Sequence, residues 1–254
     1  MSQPAFAALA PLPFELVYSD GVPLDSEWHG LQQSFLRTLI RQLMAEQGRT
    51  DFFAGKNMFV YYSVEQAREV WEEETKERPR TAFRGPDVFW VGDVEDYERK
   101  AWVAWEEGGR LPDVIIELLS PSTERNDRKK KKKLYAEVFH TAEYFLCKPH
   151  KGVVEGFRLV DGAYRPILPD EKGRVWSGQL GVSLGLWPGV YDGRERVWAR
   201  LFRPDGTLVP TETEAEHERA EAECQRAEAE RQRADAAEAE LARLRALLKE
   251  RDWG

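Results

Sequence analysis

Cysteine is scarce: the two in the chain, Cys147 and Cys224, stand far apart and form no CxxC or Cys/His ligand pattern. That excludes a disulfide scaffold and a zinc module, and it suits a reducing cytosol. Long apolar runs are missing too, since nothing approaches the roughly 18–20 residues a bilayer requires. The opening stretch, MSQPAFAALAPLPFELV, has no basic segment ahead of its apolar part, and prolines interrupt it, so it does not read as a signal peptide. The expectation is a soluble, cytoplasmic protein without a membrane partner. Glycine and proline vanish from one region, with neither occurring from Glu212 until Gly254. Without turn-formers that region predicts an uninterrupted helix.

What is present separates into two grammars. The tail repeats Glu three positions before Arg, as in Glu216/Arg219, Glu223/Arg226, Glu228/Arg231, Glu230/Arg233 and Glu240/Arg243. Such pairs are neighbours on a helix surface and contribute a few tenths of a kcal/mol each. Ala220, Ala227, Ala234, Leu241 and Leu248 recur every seven residues, joined late by Ala237 and Leu244. That is a thin coiled-coil seam, equally readable as one solvated helix or as a means of self-association. The tail also carries much of the charge. Of the formal net charge of −8, a balance of −5 lies beyond residue 210, which leaves residues 1–210 nearly neutral at −3. A local basic patch can therefore dominate its neighbourhood within a Debye length of about 8 Å.

Upstream, Ser26 caps a segment with Leu31, Phe35, Leu39 and Leu43 at helical spacing, and Gly48 closes it. Strands are expected at 57–62 (NMFVYY), 86–91 (PDVFWV), 111–120 (LPDVIIELLS), 142–147 (AEYFLC), 153–159 (VVEGFRL) and 164–168 (YRPIL). A helix from Asn126 or Asp127 leads into LYAEVF (134–139). The order implies an α/β or α+β domain with a mixed sheet flanked by helices. Three regions follow: a flexible N-terminus over 1–13, a domain over 14–210, and the charged helix over 211–254.

Two features resist a purely structural reading. Glu117 stands inside Val114-Ile115-Ile116-Glu117-Leu118-Leu119, where a buried carboxylate costs several kcal/mol unless paired or bound to a cation. Strand alternation sets Asp113, Ile115, Glu117 and Leu119 on one face and Val114, Ile116 and Leu118 on the other. Asp87 heads a neighbouring apolar strand, and two such carboxylates can share one Mg²⁺, a hard cation that takes oxygen ligands. The bland alternatives are a turn residue for Asp87 and an arginine salt bridge for Glu117. Asp113 is four strand residues from Glu117, roughly 13 Å away, too far to share an ion.

The other feature is RKKKKKLY (128–135). On a helix burying Leu134, Tyr135 and Val138, Lys131 lies one turn before Tyr135 and points toward the sheet, with Asp127 a further turn back. Lys129, Lys130, Lys132 and Lys133 are placed to meet a nucleic-acid backbone, or solvent alone. The aromatic stretch DVEDYERKAWVAWEEGG (93–109) either contacts a substrate or packs on the domain.

Pro86-Asp87-Val88, then Pro112 to Thr123 (PDVIIELLSPST), then Asp127-xxx-Lys131-xxx-Tyr135, then Glu143-Tyr144-Phe145, resemble the Uma-type family of restriction endonucleases in the PD-(D/E)XK nuclease superfamily. The resemblance runs from about Phe14 to Phe202, takes in Glu15-Leu16-Val17 and His29, and omits the tail. It implies a restriction-endonuclease-like core and metal-dependent cleavage of DNA, with Mg²⁺ or Mn²⁺ held by Asp87, Glu117 and the Leu118 backbone carbonyl. The superfamily's lysine two residues after the Glu is absent, since Leu119 occupies that place; Lys131 matches the lysine as moved to the following helix. Glu27 or His29 would complete the site, and a homodimer, by way of the tail, would cut both strands. The competing readings are a retired nuclease fold acting in nucleic-acid binding or assembly through its coil, and a structural protein whose lysines only confer solubility. No DNA-reading module is visible, so neither sequence specificity nor a partner methylase follows.

Overall fold

The computed structural model describes residues 12–18, 26–75 and 85–251. The N-terminus expected to be flexible over 1–13 lies, up to residue 11, outside them. The chain divides into two compact units, 1–209 and 210–254.

The first unit is α+β around a six-stranded mixed sheet in the order β1-β3-β5-β6-β7-β8. Its strands are β1 (Phe52–Lys56), β3 (Val88–Gly92), β5 (Val114–Leu118), β6 (Glu143–Lys148), β7 (Val153–Val160) and β8 (Ala163–Ile167). All neighbours are antiparallel except β5 and β6, which run parallel with Glu117 beside Leu146. A parallel pair cannot be joined by a tight turn and needs a crossover. Here a helical segment supplies it, running from α3 (Glu124–Asn126) through a π-helical stretch, Asp127–Lys131, into α4 (Lys132–Glu137). This crossover brings the lysine run over the sheet.

Helix α1 (Glu27–Glu46) starts at Ser26, whose side chain accepts from the His29 N–H, as the sequence predicts. Its buried stripe of Phe35, Leu36, Leu39, Ile40 and Leu43 packs with Val114, Ile116 and Leu118 of β5. Ile115 and Leu119 join Tyr135, Phe139 and Tyr144 in a second core on the crossover side. The alternation along β5 therefore separates two cores, and Glu117 belongs to the second face.

A three-stranded antiparallel sheet, β11-β10-β9, adds Trp198 and Leu201 to the α1 core. It comprises β9 (Val175–Ser177), β10 (Val182–Tyr191) and β11 (Arg194–Phe202). The strand expected over 57–62 is shorter than predicted: β2 covers only Val60–Tyr61 and pairs in parallel with β4 (Trp102–Val103). Helix α2 (Val64–Glu74), capped by Ser63, follows it. The AWVAW segment packs inward, with Ala101, Trp102, Val103 and Ala104 all buried.

The second unit is a single helix, α5 (Glu212–Arg251). Ala220, Ala227, Ala234 and Leu241 of the seven-residue repeat are exposed along it, and the side chains beyond residue 243 lie outside the described residues. Among the described residues no helix is long and apolar enough to cross a membrane.

Candidate active site

Asp87 comes just before β3, and the register that pairs Val88 with Ile116 puts it opposite Glu117. Its entry is fixed by a close backbone approach: a Cβ on Gly85 would lie 1.8 Å from the Met58 carbonyl oxygen. The Asp87 carbonyl accepts from the Asn57 N–H at 2.9 Å. Two carboxylates facing each other on neighbouring strands repel. The Asp87 N–H nevertheless lies 3.4 Å from Glu117 Oε2, so the pair meets at the sheet surface.

Each carboxylate has its own donors. Asp87 Oδ1 sits 2.8 Å from His29 Nε2 and accepts from Gln33 Nε2, also at 2.8 Å. Asp87 Oδ2 accepts from the Leu118 N–H at 2.6 Å. Leu119 donates to the Cys147 carbonyl of β6. In a strand, successive residues turn their N–H and C=O to opposite sides. The Leu118 carbonyl therefore shares the Asp87 side with its N–H. Glu117 is fully buried and accepts from Lys131 Nζ at 3.0 Å on both oxygens and from the Tyr135 hydroxyl at 2.7 Å. Lys131 also pairs with buried Asp127 at 3.2 Å. The π-helical turn inserts an extra residue here, a feature often found at functional sites.

The electrostatics follow from crowding three carboxylates around one lysine. Burial drives Glu117 well above the usual carboxylate value, Asp87 and Asp127 push it further, and Lys131 and Tyr135 pull it back only in part. Burial also acts to raise Asp87, but the His29 hydrogen bond and charge, Lys131 and the Leu118 N–H outweigh it and hold it below its ordinary value. Desolvation acts to lower Lys131, yet Glu117, Asp127 and Asp87 prevail and keep it an ammonium. Asp87 retains 17% side-chain exposure while Glu117 has none, so the site opens on the Asp87 side.

The structure thus brings Asp87, Glu117, Leu118, Lys131 and His29 together. Glu27, expected with or in place of His29, pairs with Arg194 at 2.9 Å instead of reaching this cluster. Residues two apart on a helix lie on different faces, so Glu27 and His29 cannot both reach Asp87. Gln33, Tyr135 and Asp127 join the site without having been predicted as members. Gln33 is one turn after His29, a spacing that was available in the sequence. Lys132 lies over the Phe157 ring at 3.1 Å, Lys133 pairs with Glu137 at 3.7 Å, and Lys129 and Lys130 are exposed. Asp113 caps elsewhere, accepting from the Gly92 N–H at 2.8 Å.

The Uma2 family model, described as "Putative restriction endonuclease", matches residues 11–192. The chain belongs to the Uma2 family. No curated protein matches the sequence. Among solved structures, it resembles the crystal structure of a putative nuclease belonging to DUF820 from Anabaena variabilis ATCC 29413. That match is 15% identical, covers 62% of this chain and 76% of that one, and has a TM-score of 0.40.

Among the described residues, no group of three or more His, Cys, Asp or Glu side chains forms a ready-made metal cage. What Asp87, Glu117 and Leu118 present together is two carboxylates plus a main-chain carbonyl. That all-oxygen set, open on one side, fits a hard cation that retains several waters.

Proposed function

We propose that this protein is a metal-dependent endonuclease that hydrolyses phosphodiester bonds in DNA. The observation that carries the proposal is the meeting of Asp87 and Glu117 across adjacent strands, with Lys131 of the crossover drawn onto Glu117. A fully buried carboxylate beside two others is costly for the fold alone, and a cation site explains why it is there. Asp87, Glu117 and the Leu118 carbonyl would hold Mg²⁺ or Mn²⁺. Such an ion polarises the phosphate and makes bound water more acidic.

The chain's own groups have separate tasks. His29 and Gln33 orient the Asp87 carboxylate and leave its exposed edge toward the ligand. Tyr135 holds Glu117 from the side away from Asp87. Lys131 offsets the negative charge that develops on the scissile phosphate, since an ammonium at a water-poor site acts more strongly than in solution. Lys129 and Lys130, free of side-chain ion pairs among the described residues, are candidates for backbone phosphates. Cutting both strands requires two such sites, so a homodimer in the cytoplasm, joined through α5, belongs to this reading.

Supercoiled plasmid incubated with Mg²⁺ or Mn²⁺, against EDTA, tests it. Metal-dependent nicking by the wild type and none by Asp87→Ala or Lys131→Ala is the expected result. Nicking that survives in Asp87→Ala contradicts it. DNA binding without cleavage by the wild type favours a nuclease fold retained for assembly.

A further inference from the structure

Helix α1 carries polar residues at four-residue spacing: His29, Gln33, Arg37 and Arg41. The first two end on Asp87. The second two line a cleft of ≈ 540 Å³ that also includes Phe53, Lys56, Met58, Tyr97 and Arg99, with Asp96 and Glu98 as its two carboxylates. This volume lies within the range of small-ligand sites. Lys56 ends β1, and its neighbour Asn57 bonds the Asp87 main chain. The cleft therefore begins beside the candidate active site and leads away from it.

Its lining suits one kind of occupant. Arg37 gives Nε to the Ala54 carbonyl at 2.9 Å, and its other guanidinium N–H groups have no acceptor among the described residues. Arg41 lies near enough to repel Arg37, while Asp96 attracts it; with Lys56 in the same cleft the cations outnumber that carboxylate and favour a further anion. Arg41 pairs with Asp96 at 2.9 Å, but both partners are solvent-accessible, so that pair is weak. Lys56 Nζ rests on Ser34 Oγ at 2.9 Å.

The aromatic wall is pre-organised. Tyr97 is 48% exposed, yet its hydroxyl donates to Glu107 Oε1 at 2.7 Å, and the Arg99 guanidinium covers one ring face at 3.5 Å. Arg99 is itself fixed by Glu107 at 2.6 Å. A pinned, exposed ring in one cleft with Arg37, Arg41 and Lys56 matches the stacking platform and charged track by which proteins hold unpaired strands. In a duplex, base faces are covered by neighbouring pairs, which leaves nothing to lie on Tyr97.

We propose that this cleft binds an unpaired stretch of the nucleic-acid strand, with phosphates on Arg37, Arg41 and Lys56 and a base stacked on Tyr97. The inference rests on the nuclease reading and narrows its substrate to DNA with a single-stranded or flared segment next to the cleavage point.

Fluorescence anisotropy of labelled single-stranded and duplex oligonucleotides, with full-length protein in EDTA over a range of salt, tests it. Tyr97→Leu, Arg41→Gln and Arg37→Gln are compared with Lys172→Gln, a surface-charge control on the β8–β9 connection, and melting curves check that each variant folds. Tighter binding of the single strand is expected. Tyr97→Leu should weaken it by about 5- to 100-fold. Each arginine variant should flatten the salt dependence by about 0.7 in log–log slope, and Lys172→Gln should do nothing. Unchanged affinity in folded Tyr97→Leu and Arg41→Gln overturns the cleft, and so does duplex binding as tight as single-strand binding. If the wild type nicks plasmid but these variants bind and cut normally, the cleft fails and the nuclease stands. If the wild type neither binds nor cuts, both fail.

Discussion

Glu117 and Lys131 should respond to substitution with opposite signs, although they form one ion pair. Glu117 is fully buried and faces Asp87 and Asp127 as well as Lys131. A carboxyl group whose folded value is raised above its unfolded one is disfavoured in its charged form by folding. Stability from that group is therefore lost above the unfolded pKa and recovered as pH falls through the folded one. Glu117→Gln fixes the uncharged state at neutral pH, and its amide oxygen can still accept from Tyr135. Burial holds Glu117 well above its ordinary value, so Glu117→Gln should stabilise the fold rather than weaken it. Lys131→Met removes the cation paired with Glu117 and Asp127 and leaves those buried carboxylates unbalanced, at a cost of about 3–5 kcal/mol. Urea and thermal melts in EDTA at neutral pH measure both. A destabilised Glu117→Gln, or an unaffected Lys131→Met, would refute the view that this cluster is held against its own repulsion.

Further outcomes separate the site's parts. His29→Ala should weaken Mn²⁺ binding by about 10- to 100-fold through loss of the group that orients Asp87, while Glu27→Ala, paired with Arg194 instead, should leave it unchanged; calorimetric titration distinguishes them. Cation affinity should rise with pH, since the metal must displace a proton from Glu117, whose burial favours the protonated form; a flat profile would sink the assignment of Glu117 as a ligand. Removing the chain beyond residue 210 should convert a dimer to a monomer by mass measurement in solution, and an unchanged mass would take α5 out of that role.

Much of the site was legible because strong chemical conflicts mark it. A glutamate among five apolar strand residues stands out, and Lys131 is picked from its neighbours by helical spacing to Tyr135, a relation that the π-helical turn did not spoil. The sheet core was readable for the same reason: β5 alternates cleanly, and α1 keeps an unbroken apolar stripe behind a serine cap. What escaped had weaker or ambiguous signals. Gln33 reads as an ordinary polar position until its partner across the fold is known. Glu27 offers a carboxylate on a different face of its helix from His29. β1 is five residues long and contains Gly55, which weakened its signal, so no strand was expected there. The β10–β11 hairpin carried a usable signal in Asp192-Gly193, both with positive φ in a two-residue turn, the type of turn that Asp-Gly favours. Pro188 and Gly189 within β10 obscured the alternation that would have drawn attention to it.

The most direct test of the central claim is Mn²⁺ titration of the wild type, Asp87→Ala, Glu117→Gln and Asp113→Asn by calorimetry. A site formed by Asp87 and Glu117 predicts a single ion per chain, lost in the first two variants and kept in the third. Ion binding that persists in both Asp87→Ala and Glu117→Gln, or a folded wild type that binds none, would contradict it.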